Sequence, residues 1–245
     1  SHFERLIFVA PSSETSLEWL DMVAIPFTYY RRNACPDSVK DIRPNHGNEA
    51  AVYIRFILDN YDHHLPQWTV FLHGHLHAWH QEGIVRILRG LLWGKQPFMN
   101  LSFRNLTASR RAKINGNHLW QRIYVPKMIP SWWNHLFGSV LKKEVVSSYC
   151  CAQFVVSRER ILAIPKDRWQ LWYDWLISEE VPSSLSGRIF EYYWSVIFGE
   201  PYDSPVYPEG MCYVTKCSQG ERDSEKENTN CSIPREMDPF AHFTC

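Results

Sequence analysis

The chain carries no surplus charge of either sign. Its 26 Lys and Arg balance 26 Asp and Glu over 245 residues. A dedicated nucleic-acid binder needs a positive excess to displace counterions from phosphates, so nucleic acid is not an expected partner. No apolar run approaches the ~20 residues of a membrane-spanning helix, and the N-terminus lacks a signal-peptide pattern. Ser1-His2 reads as a cloning scar, so membrane attachment is expected only through an N-terminal anchor that has been removed. No Cys-x-x-Cys pair occurs, which speaks against a zinc ribbon. A Gly-x-x-x-x-Gly-Lys-[Ser/Thr] loop and a Gly-x-Gly-x-x-Gly turn are both missing, so neither a P-loop nor a classical dinucleotide fold is indicated. Asp-x-Asp occurs nowhere.

What the chain has in abundance is aromatic: 11 Trp, 12 Tyr and 13 Phe, with 11 His beside them. Most must fill a core, but Trp and Tyr pair an apolar face with a polar edge that suits stacking on sugar rings. The 45% hydrophobic and 21% charged fractions are those of a folded protein. Three glycosylation sequons begin at Asn100, Asn105 and Asn230. Seven cysteines accompany them: Cys35, Cys150, Cys151, Cys212, Cys217, Cys231 and Cys245. Together they point to an oxidising compartment, the Golgi or ER lumen or the exterior. Cys212 and Cys217 bracket a short turn and are placed to bridge.

Patterning alternates strand and helix. Leu6 to Ala10 is a short apolar run that reads as a buried strand, followed by a Pro-Ser loop and a helix opening at Leu17. Val23 to Tyr30 reads as a second strand broken or edged at Pro26. Asn45 to Glu49 leads into a helix to about Tyr61, with Val52, Phe56, Ile57 and Tyr61 on its apolar side. Trp68 to Leu72 is a third strand that runs into His73-Gly74-His75-Leu76-His77-Ala78-Trp79-His80, and a helix is expected from Gly83 to Trp93. Residues 100–141 read as a long excursion over a cleft. Gln153 to Val156 makes a strand, Pro165 to Ile177 a helix burying Trp169, Trp172, Tyr173 and Leu176, and Gly187 to Phe198 another helix. The expected fold is α/β, a mainly parallel mixed sheet flanked by helices in one domain over residues 1–217, with a polar tail over 218–245. In such sheets the ligand sits outside the carboxyl ends of the strands, where the polar motifs fall.

Three motifs can carry chemistry. If the third strand continues, His73, His75 and His77 share one face at ~6.5–7 Å spacing, and two such imidazoles can converge on a metal; the bland alternative is hydrogen bonding without metal. Asn48 and Glu49 open a helix, where they either cap it and complement its dipole or hold a hydroxyl or phosphate. Glu191 lies amid aromatics, where burial raises a carboxyl's pKa towards general-base use, or else it pairs with Arg188. Cys150-Cys151 reads as core thiol or disulfide in preference to a nucleophile. Arg31-Arg32, Arg104 and Arg110-Arg111 are charges that a diphosphate would need.

Leu17-Glu18-Trp19-Leu20, the Asn45 block, Phe71 to His75 with Trp79-His80, Cys150 to Ile161 and Glu191 to Trp194 together resemble a family of fungal, plant and algal proteins known only as a domain of unknown function. A weaker likeness is to the donor half of GT-A-type glycosyltransferases, and a rhamnan-synthesis-type transferase has a similar Asn-x-Gly-Arg-acid block. That resemblance implies a GT-A-like, Rossmann-like fold. It implies a nucleotide-sugar site lined by Pro11, Ser12, Glu14, Asn45, Gly47 and Asn48. His73 and His75 would stand where those enzymes place Asp-x-Asp for a divalent metal such as Mn²⁺, and Glu191, with Glu49, would serve as acceptor-activating base. Asn48 replaces the Arg of the related block. The expected function is thus a glycosyltransferase that joins a nucleotide-sugar donor to a glycan or glycoprotein acceptor. Two alternatives stand beside it: a His-based metal-dependent hydrolase or oxidoreductase, and a non-catalytic glycan-binding module stacking sugars on Trp79, Trp132 and Trp133.

Overall fold

The structure is a computed structural model, and it describes residues 4–12, 15–31, 46–78, 83–102, 105–109, 132–138, 145–149, 151–178, 181–201 and 210–217. Glu14, Asn45, Trp79, His80, Arg32, Arg104, Arg110, Arg111, most of the 100–141 excursion and the 218–245 tail lie outside them.

Leu6 to Ala10 forms a strand because an unbroken apolar run can be buried on both faces. It is β1 (Arg5–Ala10), an inner strand of a five-stranded sheet with β2 (Phe27–Tyr29), β3 (Trp68–His73), β4 (Phe98–Asn100) and β7 (Phe154–Ser157). A separate antiparallel pair is made by β5 (Asn105–Ser109) and β6 (Val145–Tyr149). The main sheet runs β2-β1-β3-β7-β4. β1 is parallel to both β2 and β3, and β7 is antiparallel to both β3 and β4. β4 therefore points the same way as β1, and β7 is the one reversed strand of the five. The α/β expectation of a mixed sheet flanked by helices in one domain holds.

Alternate residues along each strand feed two cores. Leu6, Phe8, Phe71, Phe154 and Val156 face α1 (Asn48–Asn60), α5 (Lys166–Ile177) and α6 (Ser183–Ile197). Ile7, Val9, Val70, Leu72 and Val155 face a 3-10 turn (Glu18–Met22), α2 (Ile84–Arg89) and the strap 212–217. The first core is aromatic: Phe8 stacks on Phe56 at 4.1 Å between centroids, and Trp194 lies parallel to Phe198 at 5.9 Å. Trp169, Trp172, Tyr173 and Leu176 of α5 are buried as their spacing predicts. A short helix over 132–137, α3, docks on this core, and α4 (Arg158–Leu162) follows β7 directly.

Several expectations need adjustment. The Leu17 helix is a single 3-10 turn. The strand expected over Val23 to Tyr30 keeps only three residues, because Ile25 N–H turns back to Val23 O and Pro26 O accepts from Ile7 N–H. The Gly83–Trp93 helix stops at Arg89, after which Leu91 bridges to Thr215 instead. α6 begins four residues before Gly187, just after Pro182, whose fixed φ suits a helix start. Cys212 and Cys217 are bridged.

Candidate functional site

β1 connects outward to β2, and the chain then returns through α1 to β3 on the other side of β1. The strand order thus reverses between β1 and β3, and an open α/β sheet leaves its crevice at the carboxyl ends of such a pair. Ala10 and His73 are opposite each other at that edge.

The two loops leaving this edge are cross-tied. Trp19 Nε1 donates to Gly74 O at 3.0 Å, and Ser12 Oγ lies 2.6 Å from Thr15 Oγ1. Arg31 Nη1 donates to Ser12 O (3.1 Å) and Thr15 O (3.3 Å) with its guanidinium 5.1 Å from the Tyr29 ring centroid, so it braces the β1 loop. A Cβ on Gly74 would sit 2.8 Å from both Pro11 Cβ and Thr15 Cγ2. Only glycine lets the loops approach this closely. Between them opens a cavity of about 630 Å³ whose lining includes Ser12, Thr15, Glu18, Trp19, His75 and His77.

This closeness also breaks the histidine row. β3 ends at His73 and the chain bends at Gly74. The continuous strand that would align the three imidazoles is not formed. His75 and His77 are exposed and line the cavity, whereas half-buried His73 places Nε2 2.5 Å from Cys151 O. A carbonyl only accepts, so Nε2 carries the proton, and a metal at that nitrogen would have to displace this bond. Among the described residues no group of three or more His, Cys, Asp or Glu is arranged to hold a metal ion. The described donors therefore do not make a Mn²⁺ site.

His73 N–H donates to buried Gln153 Oε1 (3.3 Å), which ties β3 to the turn before β7. Cys151 and Ala152 in that turn both have positive φ. Cys151 is disulfide-bonded, so it is no nucleophile.

Behind His73 lies a buried charge cluster built by α1 and α6. Gly47 N-caps α1 in the left-handed region (φ 74°) and Asn48 follows at φ 51°. No side chain among the described residues caps this helix, so the capping role expected of Asn48 is not what it does. Gly47 N–H donates instead to Ser183 Oγ (3.0 Å) at the start of α6. His46 Nδ1 is buried beside it without a partner among the described residues. Gly187 lets α6 cross here: its Cβ would meet Asn48 Nδ2 at 2.7 Å and Gly47 O at 3.0 Å. One helical turn on, Arg188 Nη1 donates to Glu191 Oε2 at 2.7 Å, with the two side chains only 17% and 8% exposed. Burial pushes the Glu191 carboxyl up, the Arg188 guanidinium pulls it down and nearby Glu49 pushes it up again, leaving it raised; His73 is close enough to lower it. Burial and Glu191 also push the neighbouring Tyr192 phenol up to about 12.

The edge therefore brings together His73, Gly47, Asn48, Glu49 and Glu191 on one side of the sheet, and Pro11, Ser12 and His75 on the other. Both readings of Glu191 hold at once: it is buried among aromatics and it is paired with Arg188. Sequence reasoning missed Trp19, Thr15 and Ser183; the i,i+3 spacing of Arg188 and Glu191 was the signal for their pairing. Trp133 is only 2% exposed, packed on Phe137 and Tyr193, while Trp132 leans on Trp175. Trp133 therefore offers no open stacking face for sugar.

A family model described as "Protein of unknown function (DUF3431)" matches residues 7–215. The chain belongs to the DUF3431 family. No curated protein matches it, and no solved structure does. The DUF3431 match takes in the main sheet apart from Arg5 and Leu6 of β1, together with the cavity and the charge cluster, and ends within the 212–217 strap.

Proposed function

We propose that this DUF3431 protein is a glycosyltransferase that takes a nucleotide-sugar donor and a glycan or glycoprotein acceptor. The observation that carries the reading is the cavity at the β1–β3 switch point, where Ser12, Gly74, His75 and His77 converge. A crevice of this size outside strand carboxyl ends suits a nucleotide. The GT-A likeness of the Asn45-to-Glu49 and His73-Gly74-His75 blocks supports the same reading. On it, the β1 loop meets the nucleoside and His75 and His77 face the diphosphate. The disulfides support a Golgi or ER lumenal, or secreted, setting.

Transfer needs a group to accept the acceptor hydroxyl's proton. Glu191 and Glu49 are both at least nine-tenths buried, and Glu191 is held by Arg188. An acceptor would have to displace that guanidinium to reach it. We therefore give Glu191 and Glu49 a positioning role behind His73, and His73 the proton. With Nε2–H donated to Cys151 O, proton uptake by this ring falls to Nδ1. No step is routed through a metal.

Release of nucleoside diphosphate from a panel of nucleotide sugars, each with a mixed glycan acceptor, tests the reading. At least one donor should turn over; His73→Asn should abolish turnover with KM little changed, and Glu191→Gln should shift its pH profile. Release by no donor, with or without Mn²⁺, sinks the proposal.

A further inference from the structure

The cavity does not end at His77. A second open groove of about 620 Å³ shares Leu76 and His77 with it and runs along α2 past Arg86, Arg89 and Lys216. These three cations are exposed, and no acidic residue is among the described residues lining the groove. Arg89 Nε donates to Met22 O at 2.7 Å, which fixes the plane of its guanidinium. Lys216 reaches the groove on the strap that the Cys212–Cys217 disulfide closes, pinned by Lys216 N–H to Gly90 O (3.0 Å) and Thr215 Oγ1 to Ile87 O (3.1 Å). Neither Arg89 nor Lys216 forms an ion pair among the described residues.

A plain account exists for part of this: cations near the C-terminus of α2 offset its dipole. That covers Arg86 and Arg89. It does not explain a third cation delivered by a covalently closed strap from far along the chain. Nearby Lys95 shows the contrast, since its Nζ is spent on Tyr213 O (2.7 Å) and the Tyr213 ring. Like charges held in one concave surface raise each other's potential and favour an anion with several oxygens, which guanidinium groups bind in fork geometry.

We propose that this groove binds an oligosaccharide bearing anionic groups, whether sulfate, phosphate or carboxylate. The groove's charge is independent of the transferase reading, because it collects anions whatever the adjoining cavity holds. On that reading, it is where an anionic acceptor lies next to the donor.

The test is titration calorimetry of the full chain with sulfated, phosphorylated and uronate-bearing tetrasaccharides, a neutral tetrasaccharide and inorganic pyrophosphate. The proteins are wild type, Arg86→Gln/Arg89→Gln/Lys216→Gln, Lys216→Arg, and Lys166→Gln as a remote control, each checked by circular dichroism melting. At least one anionic tetrasaccharide should bind tenfold or more tighter than the neutral one and weaken steeply with salt. The triple variant should lose that preference, while Lys216→Arg and Lys166→Gln retain it. Equal binding of charged and neutral sugars, or wild-type binding by the triple variant, overturns the proposal. So does tighter binding of pyrophosphate than of any anionic sugar, lost in the triple variant, because the groove would then serve a donor's diphosphate. None of these outcomes depends on turnover, so failure here and failure of the transferase reading are read separately.

Discussion

Arg188→Met removes the cation that touches Glu191 among the described residues and leaves a carboxyl that is 7% exposed facing Glu49. Breaking one partner out of a buried pair costs about 3–5 kcal/mol when the remaining charge has no escape. Here it has one, because the acid can take up a proton. Against an ordinary value of 4.5, protonation at pH 7 costs at most about 3.4 kcal/mol, at 1.36 kcal/mol per pH unit. Glu191 is already raised in the wild type, so that figure is a ceiling on the further loss at pH 7, and each kcal/mol of it lowers Tm by about 2–4 °C for a chain this long. The sign of the pH dependence follows from linkage. A carboxyl held above its unfolded value contributes stability that is full below 4.5 and is lost as pH rises through the folded value. Arg188→Met raises the folded value further and extends that loss to higher pH. Its Tm deficit should therefore grow from pH 5 to pH 7, and Glu191→Gln in the same chain should remove the growth. Melts of the three proteins at both pH values decide it. A deficit within about 1 °C of zero at pH 7, well under the shift of 1 kcal/mol, or one that does not change with pH, refutes the buried pair.

Other outcomes follow from close approaches and covalent ties. Gly187→Ala drives a Cβ to 2.9 Å from Asn48 Cβ and 3.0 Å from Gly47 O, and should lower stability in urea by about 1–3 kcal/mol. Cys212→Ser opens a five-residue separation and should cost about 2 kcal/mol, and reductant, which also opens the Cys151 disulfide in both proteins, should lower the wild type by about that much more than the variant. Trp133→Ala should cost about 3–5 kcal/mol as a core truncation, whereas exposed His75→Ala should stay within about 0.5 kcal/mol in a thermal melt.

Where apolar patterning is strong, the fold is legible in the residues. The unbroken run Leu6 to Ala10, the helical spacing around Val52 and Phe56 and the Trp-rich face of α5 each name their own partner surface. β4 and β6 were not legible: three to five residues carry too little period to separate strand from loop, and their pairing with β7 and β5 is supplied by distant chain. The site was legible in its place and less so in its geometry. Strand order put the polar motifs at one edge, which is where His73, Glu49 and Glu191 meet. In the fold Gly74 is the point where the β1 loop packs against β3, and that contact sends His75 and His77 into the cavity while His73 stays with Cys151. Asn48 reads as a cap by residue type, yet the crossing of α6 at Gly187 forces it to positive φ and takes the capping geometry away.

The central claim is that the switch-point cavity is the ligand site, and a thermal-shift titration with nucleoside diphosphates tests it most directly. At a hundred times Kd, a bound diphosphate should add about 2.7 kcal/mol by linkage, and Gly74→Ala, which crowds Pro11 and Thr15, should abolish the shift while the protein still melts cooperatively. A melting curve that no nucleoside diphosphate moves, or one that moves equally in Gly74→Ala, contradicts it.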